Sequence, residues 1–310
     1  VKVAVLKGGR SLERGVSLRS GARVEDALER LGHEVLAIDV GSDLVKRLVA
    51  EQPDVAFVAM HGVGGEDGTV QELLEILGVP FTGPSAAACA RCMDKVQGKD
   101  AIDDAGLPTP DWFAFNQTAF REFGAADALG RLEATLGFPL VVKPSRGGSS
   151  LGVRFARSPG EVPQALVSAF SYDDRVLLER FVDGRELAVS VLGDKALPVV
   201  EAILLEGDRY DFEARYEIGR TRFVCPAKLS AEEERGVTEA ALDTYRALGC
   251  SGFARIDLIL DDEGPWLLEA NAIPGLTDTS LLPQAAEAAG LSFEQLVERI
   301  LDLALHPAVA

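Results

Sequence analysis

The sequence predicts a mixed α/β and α+β protein of three domains, and three observations carry that prediction. The first ninety or so residues alternate strand-like and helix-like apolar patterns, which implies a parallel sheet. In the middle of the chain a strand-like run ending at Lys143 feeds a glycine- and serine-rich turn, Gly147-Gly148-Ser149-Ser150. Near the end, two alternating runs flank a turn and repeat polar side chains at every second position, as a β-hairpin does. The boundaries read from these changes of pattern are 1–94, 95–183 and 184–305.

Val3 to Leu6 reads as the first strand, and Val24, Ala27, Leu28 and Leu31 mark the buried stripe of the helix that follows. The opening apolar run is too short for the core of a secretion signal and leads straight into glycines, so it is read as a strand. Val35 to Ile38 is a second strand, Leu44 to Val49 a helix, and Val55 to Met60 a third, wholly apolar strand. Val70, Leu73, Leu74 and Leu77 form another helical stripe, ended by Gly78. The loop His61-Gly62-Val63-Gly64-Gly65-Glu66-Asp67-Gly68 leaves the third strand at the carboxyl edge of the sheet, where ligands bind. His61 is therefore a candidate binding residue.

Around Met93-Asp94-Lys95 the pattern changes to a helix, then the rigid loop Gly106-Leu107-Pro108-Thr109-Pro110, then the strand Phe138 to Lys143. The turn at 147–150 offers backbone N–H groups and hydroxyls without bulk, as close approach to a phosphate requires. Lys143 places an ammonium beside the same anion. The third region alternates strands and loops before a long helix opened by the capping box Ser230-Ala231-Glu232-Glu233. A last helix opens with a second box, Ser292 to Gln295, and buries Phe293, Leu296, Val297, Ile300 and Leu301.

Between those helices lies the hairpin Gly252–Leu260 and Trp266–Asn271, with the turn Asp261-Asp262-Glu263-Gly264-Pro265. Strand alternation puts Arg255 and Asp257 on one face, and Glu269 and Asn271 on one face of the returning strand. Ile256, Leu258, Leu268 and Ala270 take the opposite side, toward a core. If the polar faces coincide, one surface carries two carboxylates, an amide oxygen and a guanidinium. Such hard oxygen donors suit Mg²⁺. A solvated face is the alternative reading of the hairpin taken alone.

Composition narrows the function further. The 310 residues are 47% hydrophobic and 26% charged, an ordinary globular balance. A net charge of −18 argues against nucleic acid or anionic membranes as partners. No run approaches the length of a membrane span, and a cytoplasmic location is expected. There is no G-x-x-x-x-G-K-[ST], and Lys7-Gly8-Gly9-Arg10 stands where a G-x-G-x-x-G would follow the first strand, so P-loop and dinucleotide roles lack support. Cys89 and Cys92 have C-x-x-C spacing, but Cys225 and Cys250 form no second pair, and these read as small buried thiols.

Eight ordered segments now acquire a common meaning: GGRSLERGVSLRSG, HGVGGEDG, MDK, VKPSRGGSSLGV, LLERFVDGRELAV, YDFEARY, GFARIDL and LLEANAIPGLTDTSL. Together they resemble the D-alanine–D-alanine ligases of the ATP-grasp superfamily over essentially the whole chain. The resemblance implies a three-domain ATP-grasp architecture with a Rossmann-like first domain, and a cytoplasmic homodimer acting in peptidoglycan precursor synthesis. It implies ATP as a substrate and two Mg²⁺ ions, with Mn²⁺ as a substitute, held by Asp257, Glu269 and Asn271. Lys95 and Lys143 would hold the phosphates, with Ser149 and Ser150 in the turn above them. Glu179 would lie on the adenine side and Glu186 at the ribose. Glu13 would receive the ammonium of the first D-alanine, with His61 close to that amino acid. Arg255 and the Gly275 N–H would stabilise the oxyanion. Ser280 and Arg215 would face the second carboxylate. Tyr216 would belong to a closing loop over Tyr210–Arg222, reaching Ser149 and Glu13.

The sequence departs from the family pattern at a few places. Arg215 replaces a common lysine, Gly15 a larger polar residue, and Thr279 a frequent histidine before Ser280. Ala272 and Ile273 replace the usual threonine and small residue after Asn271. These changes bear on the second subsite and leave every metal ligand in place. Ligases that use D-lactate typically lack the tyrosine found here as Tyr216, which favours an amine as acceptor over D-lactate. D-serine as acceptor, or a nucleotide-binding regulator without turnover, are the competing readings; retention of both lysines, the three metal ligands and Arg255 argues against the regulator.

Overall fold

Strand β1 (Lys2–Lys7) is the middle of a three-stranded parallel sheet, between β2 (Glu34–Asp39) and β3 (Val55–Val58). The computed structural model describes residues 1–148, 151–204 and 221–307. β1 and β3 carry unbroken apolar runs because both faces of the sheet are covered. Alternation divides β1 between two cores. Val3 and Val5 pack with the helix Arg14–Arg30, whereas Ala4 and Leu6 pack with the helices Leu44–Glu51 and Thr69–Leu77. The last of these stops at Gly78 in a left-handed cap, as its sequence predicts. β3 is shorter than the apolar run Val55–Met60. The Ala59 carbonyl accepts from the Ser17 hydroxyl (2.8 Å) instead of extending the ladder, and the chain turns there into the His61 loop.

The middle of the chain forms an antiparallel sheet of β4 (Trp112–Asn116), β5 (Leu140–Pro144), β6 (Arg154–Ala156) and β7 (Arg175–Arg180), in the order β4-β7-β5-β6. Leu140, Val142, Val176 and Leu178 point to a separate core under the helices Leu129–Leu136 and Val162–Ala169. Val141 pairs with both Phe155 and Glu179, so these three and Lys143 occupy the other face.

The third sheet comprises β8 (Arg185–Leu192), β9 (Lys195–Ala196), β10 (Val200–Leu204), β11 (Thr221–Val224), β12 (Phe253–Asp261) and β13 (Gly264–Asn271). Its order is β11-β10-β8-β12-β13, with β9 added to β8. One face shares a continuous core with the N-terminal sheet and with the helices Ala231–Ala247 and Phe293–Leu305. Both predicted capping boxes, at Ser230 and Ser292, are formed.

The hairpin register answers the question that the sequence left open. Arg255 lies opposite Asn271, and Asp257 opposite Glu269, so the polar faces coincide. Between Asp257 and Leu258 the register shifts, and Leu258 pairs with Leu267. Leu268 is the extra residue of a β-bulge. Leu267 is fully buried in the core, whereas Leu268 lines the open side of the sheet with Glu269. Uninterrupted alternation had assigned Leu268 to the core, and the bulge reverses that assignment. The two adjacent leucines should therefore respond differently: Leu267→Ala is expected to cost about 2–5 kcal/mol in denaturant unfolding, and Leu268→Ala a small fraction of that.

Candidate active site

The central sheet and the third sheet turn their open faces toward each other across a cleft of about 870 Å³. Its apolar walls include Val141, Phe155, Ile259 and Leu268. Phe181 joins them, edge-on to Phe155 with ring centroids 5.7 Å apart. Lys95, Lys143, Gly147, Asp257 and Glu269 gather in the same cleft. A slot with apolar walls and cationic groups beside backbone-rich glycine is suited to a planar base carrying an anionic tail.

Lys143 is buried and positioned from its own sheet. Its ammonium donates to Glu179 Oε1 (2.8 Å), a diagonal cross-strand neighbour. The other Glu179 oxygen is taken by the ammonium of Lys99, which also donates to Thr109 Oγ1 (2.6 Å). The Thr109 hydroxyl donates in turn to the Leu267 carbonyl (2.7 Å), and the Leu267 N–H donates to the Pro108 carbonyl (2.9 Å). A polar chain thus runs from Lys143 on the central sheet to β13. Burial alone would raise the Glu179 carboxyl, but Lys143 and Lys99 outweigh it and hold it below the ordinary range. Burial lowers the Lys99 ammonium, with Glu179 opposing that effect.

Lys99 was not anticipated from the sequence. The signal was present in its helix, Lys95–Asp104, where Val96, Lys99 and Ile102 recur at a spacing of three and are all buried. Asp94 was likewise missed. It caps this helix by accepting from the Val96 and Gln97 N–H groups (3.1 and 3.3 Å), and also accepts from Ser145 Oγ (2.7 Å) and Arg146 Nε (3.1 Å). That cap locks Lys95 beside the turn after β5. The Lys95 ammonium donates to the Gly147 carbonyl (2.8 Å) and lies 3.4 Å from Glu269 Oε2.

On the third sheet, Arg255 grips Asp257 through a two-point fork, Nε to Oδ1 and Nη2 to Oδ2, both 2.7 Å. Burial works to raise the Glu269 carboxyl, but Lys95, Lys143 and Arg255 bring it below the ordinary carboxylate value. Asn271 Oδ1 is buried with no hydrogen-bond partner among the described residues. Glu186 on neighbouring β8 lies opposite Ile259, two positions from the partner of Asp257 and so on the same face, and lines the same cleft.

A second cavity of about 1350 Å³ meets the first at Glu186, Asp257 and Leu268, which line both. Arg255, Gly275 and Ser280 all face it. The Ser280 hydroxyl accepts from the Thr277 N–H (3.0 Å), and a Cβ at Gly275 would come within 2.7 Å of that hydroxyl. The strap between Gly275 and Ser280 therefore requires glycine at its start.

Glu13 reaches toward two glycines. A Cβ at Gly62 would stand 2.7 Å from its Oε2, and one at Gly148 would stand 3.0 Å away. Gly62 also has φ of +73°, so both space and backbone exclude a side chain there. The carboxylate thus sits where the first strand loop, the His61 loop and the glycine turn converge. His61 is buried behind this point. Its Nε2 lies 2.9 Å from Ser20 Oγ, and its Nδ1 lies 3.1 Å from the Ile273 carbonyl and 3.3 Å from Glu66 Oε1. The ring visibly ties the loop after β3 to the helix Arg14–Arg30 and to the chain after β13. Ser149, Ser150, Arg215 and Tyr216 lie outside the described residues.

Cys92 and Cys250, far apart in sequence, have sulfurs 3.6 Å apart, and all four cysteines are free thiols. The Cys250 sulfur and burial push the Cys92 thiol up, and burial does the same at Cys89. Raised thiols of this kind are packing groups rather than nucleophiles.

The geometry matches known proteins throughout its length. The model of the D-ala D-ala ligase C-terminus matches residues 101–302, and that of the D-ala D-ala ligase N-terminus matches residues 42–84. A D-alanine–D-alanine ligase of Geotalea uraniireducens is 46% identical over 304 residues, covering 98% of this chain and 95% of that protein. The chain belongs to the D-alanine–D-alanine ligase family. Among solved structures, the D-alanine–D-alanine ligase of Bacillus anthracis superposes with a TM-score of 0.87 at 34% identity, covering 98% of this chain and 97% of that one. The same enzyme complexed with ATP gives 0.84 at 33% identity and the same coverage. The VanG D-Ala:D-Ser ligase of Enterococcus faecalis gives 0.82 at 29% identity, covering 97% of this chain and 98% of that one. The ATP-grasp fold of the ligase family is thus present across the described residues.

Because Glu179 carries two buried ammonium partners, Glu179→Gln should lower stability at pH 7 by about 3–5 kcal/mol. The folded-state carboxyl lies below its ordinary 4.5, so its contribution is full above that value and is lost as pH falls through the lower folded value. The gap between wild type and variant should accordingly close on acidification, measured by denaturant unfolding from pH 7 to 3.

Proposed function

We propose that this chain joins two D-alanine molecules into D-alanyl-D-alanine, converting ATP to ADP and phosphate. The observation that supports this most is the meeting of the two cavities at Asp257, with Lys95, Lys143 and Gly147 on one side and Arg255, Gly275 and Ser280 on the other. The Bacillus anthracis relative solved with ATP supports the nucleotide assignment.

The donor set on β12 and β13 fits a divalent cation. Among the described residues no three His, Cys, Asp or Glu side chains form a metal group. The candidate set is instead two carboxylates and an amide, and its amide oxygen is buried without a partner. Asp257, Glu269 and Asn271 would hold magnesium, which supplies charge neutralisation among the phosphates.

The remaining chemistry belongs to the side chains. Lys95 and Lys143 screen the phosphates, and Glu179 keeps Lys143 aimed at them. Glu186 takes the ribose. Glu13 receives the ammonium of the first D-alanine, leaving that substrate's carboxylate to attack the γ-phosphorus, which breaks the bond to the bridging oxygen, expels ADP and forms an acyl phosphate. The second amine, having lost a proton, attacks the acyl carbon. Arg255, held in place by its fork to Asp257, and the Gly275 N–H receive the oxyanion before phosphate leaves.

The deciding assay is ADP and phosphate release from ATP and Mg²⁺ with D-alanine, L-alanine or no amino acid, with products identified by mass. Turnover that requires D-alanine and yields the D,D-dipeptide is expected. Nucleotide binding without amino-acid-dependent turnover would sink the ligase reading. Arg255→Met should lower kcat by roughly 10²–10³-fold while changing the KM for ATP far less.

A further inference from the structure

Arg19 lines the second cavity with Val16, Thr277, Thr279 and Ser280. It is exposed, and no hydrogen bond or ion pair engages its guanidinium among the described residues. Among the described residues the other cation lining that cavity, Arg255, is already forked to Asp257.

The helix Arg14–Arg30 fixes the strap that Arg19 faces. Ser20 Oγ accepts from the Leu276 N–H (3.1 Å), while Arg23 donates to the Leu276 carbonyl (2.6 Å) and pairs with Asp278 (3.0 Å). Arg19 lies one helical turn before Arg23 on the same row, and it lines the cavity together with Thr277, Thr279 and Ser280 of the strap. Gly15 lies one further turn back. A Cβ there would already be 3.8 Å from Arg19 Nη1, so a longer side chain would compete for the space the guanidinium uses. Glycine at 15 leaves Arg19 free to turn inward.

Charge is graded along this cavity. Glu186 and Asp257 lie at its junction with the nucleotide cleft, while Arg19 and the strap hydroxyls come from the helix side. A zwitterionic amino acid fits this gradient with its amine toward the junction and its carboxylate toward Arg19. A guanidinium fork matches a carboxylate at two points.

We propose that Arg19 is a specificity-determining residue that holds the carboxylate of the second amino acid. The assignment rests on the ligase reading above. It makes the acceptor's carboxylate, and not only its amine, a requirement for productive binding.

The test is steady-state kinetics of wild type, Arg19→Ala and Arg19→Lys, with D-alanine and with D-alaninamide, which lacks the carboxylate, as second substrate. Arg19→Ala should raise the KM of the second D-alanine about tenfold and shrink the preference for D-alanine over D-alaninamide by a similar factor. The KM for ATP and for the first D-alanine should not move, and Arg19→Lys should recover part of the loss. Gly15→Glu, which sets a carboxylate against Arg19 at i,i+4, should reproduce the defect without removing the guanidinium. An unchanged second-site KM, or equal losses with both acceptors, would overturn the role of Arg19 while leaving the ligase intact. Absence of any D-alanine-dependent ADP release in the wild type would overturn both.

Discussion

The two walls of the cleft do not share a hydrophobic core. The central sheet packs on its own helices, while the third sheet is continuous with the N-terminal sheet. Their relative placement therefore depends on polar contacts, and above all on the buried chain Lys143–Glu179–Lys99–Thr109–Leu267. Two further contacts reinforce it: Lys95 bridges Gly147 and Glu269, and the Arg180 guanidinium lies 4.7 Å from the centre of the Trp266 ring. Hydrogen bonds are directional where apolar packing is not. Joining the walls in this way fixes the orientation of Lys143 toward the carboxylates of β12 and β13 as well as its distance from them.

The same chain explains how an acidic protein accommodates a polyanion. A net charge of −18 repels ATP at long range, but that field is screened beyond about 8–10 Å in physiological salt. Inside the cleft the balance is local, and lysine and arginine alternate with carboxylates. Glu179 is ionised because of Lys143 and Lys99, and Glu269 because of Lys95 and Lys143, despite the burial that opposes both. Each lysine is therefore aimed by a carboxylate that itself stays charged. A cluster of lysines alone would repel itself and spread apart when empty.

What the sequence revealed and what it hid divide along a physical line. Local rules found the strand β1, the Gly78 stop, both capping boxes and the hairpin, because each depends on residues a few positions apart. The common face of Arg255, Asp257, Glu269 and Asn271 followed from period-two alternation once the register was known. Lys99 was hidden because its burial depends on Glu179, which only the folded sheet brings near. Its apolar-spaced neighbours Val96 and Ile102 were the available clue. His61 reads from its loop as a binding residue; its buried partners on the helix Arg14–Arg30 and after β13 are a pattern that only tertiary contact reveals. The closeness of Cys92 and Cys250 belongs to the same class, and packing accounts for it.

The bulge at Leu268 shows why departure from a regular pattern is informative. In an unbroken hairpin, a residue that keeps Glu269 opposite Asp257 would be followed by one that faces the core. The chain instead inserts Leu268 between the buried Leu267 and Glu269, so two consecutive side chains emerge on the open face. Both carboxylates keep their register, and an apolar group is gained at the boundary where the two cavities meet. On the proposed mechanism, an acyl phosphate formed at that boundary would have to meet an amine before it met water. Charged groups exclude water poorly there, because any hydrogen bond the protein leaves unmade to them draws water in. The one added residue contributes an apolar wall at the place where the carboxylates alone would draw solvent in, and the bulge does so without moving either of them.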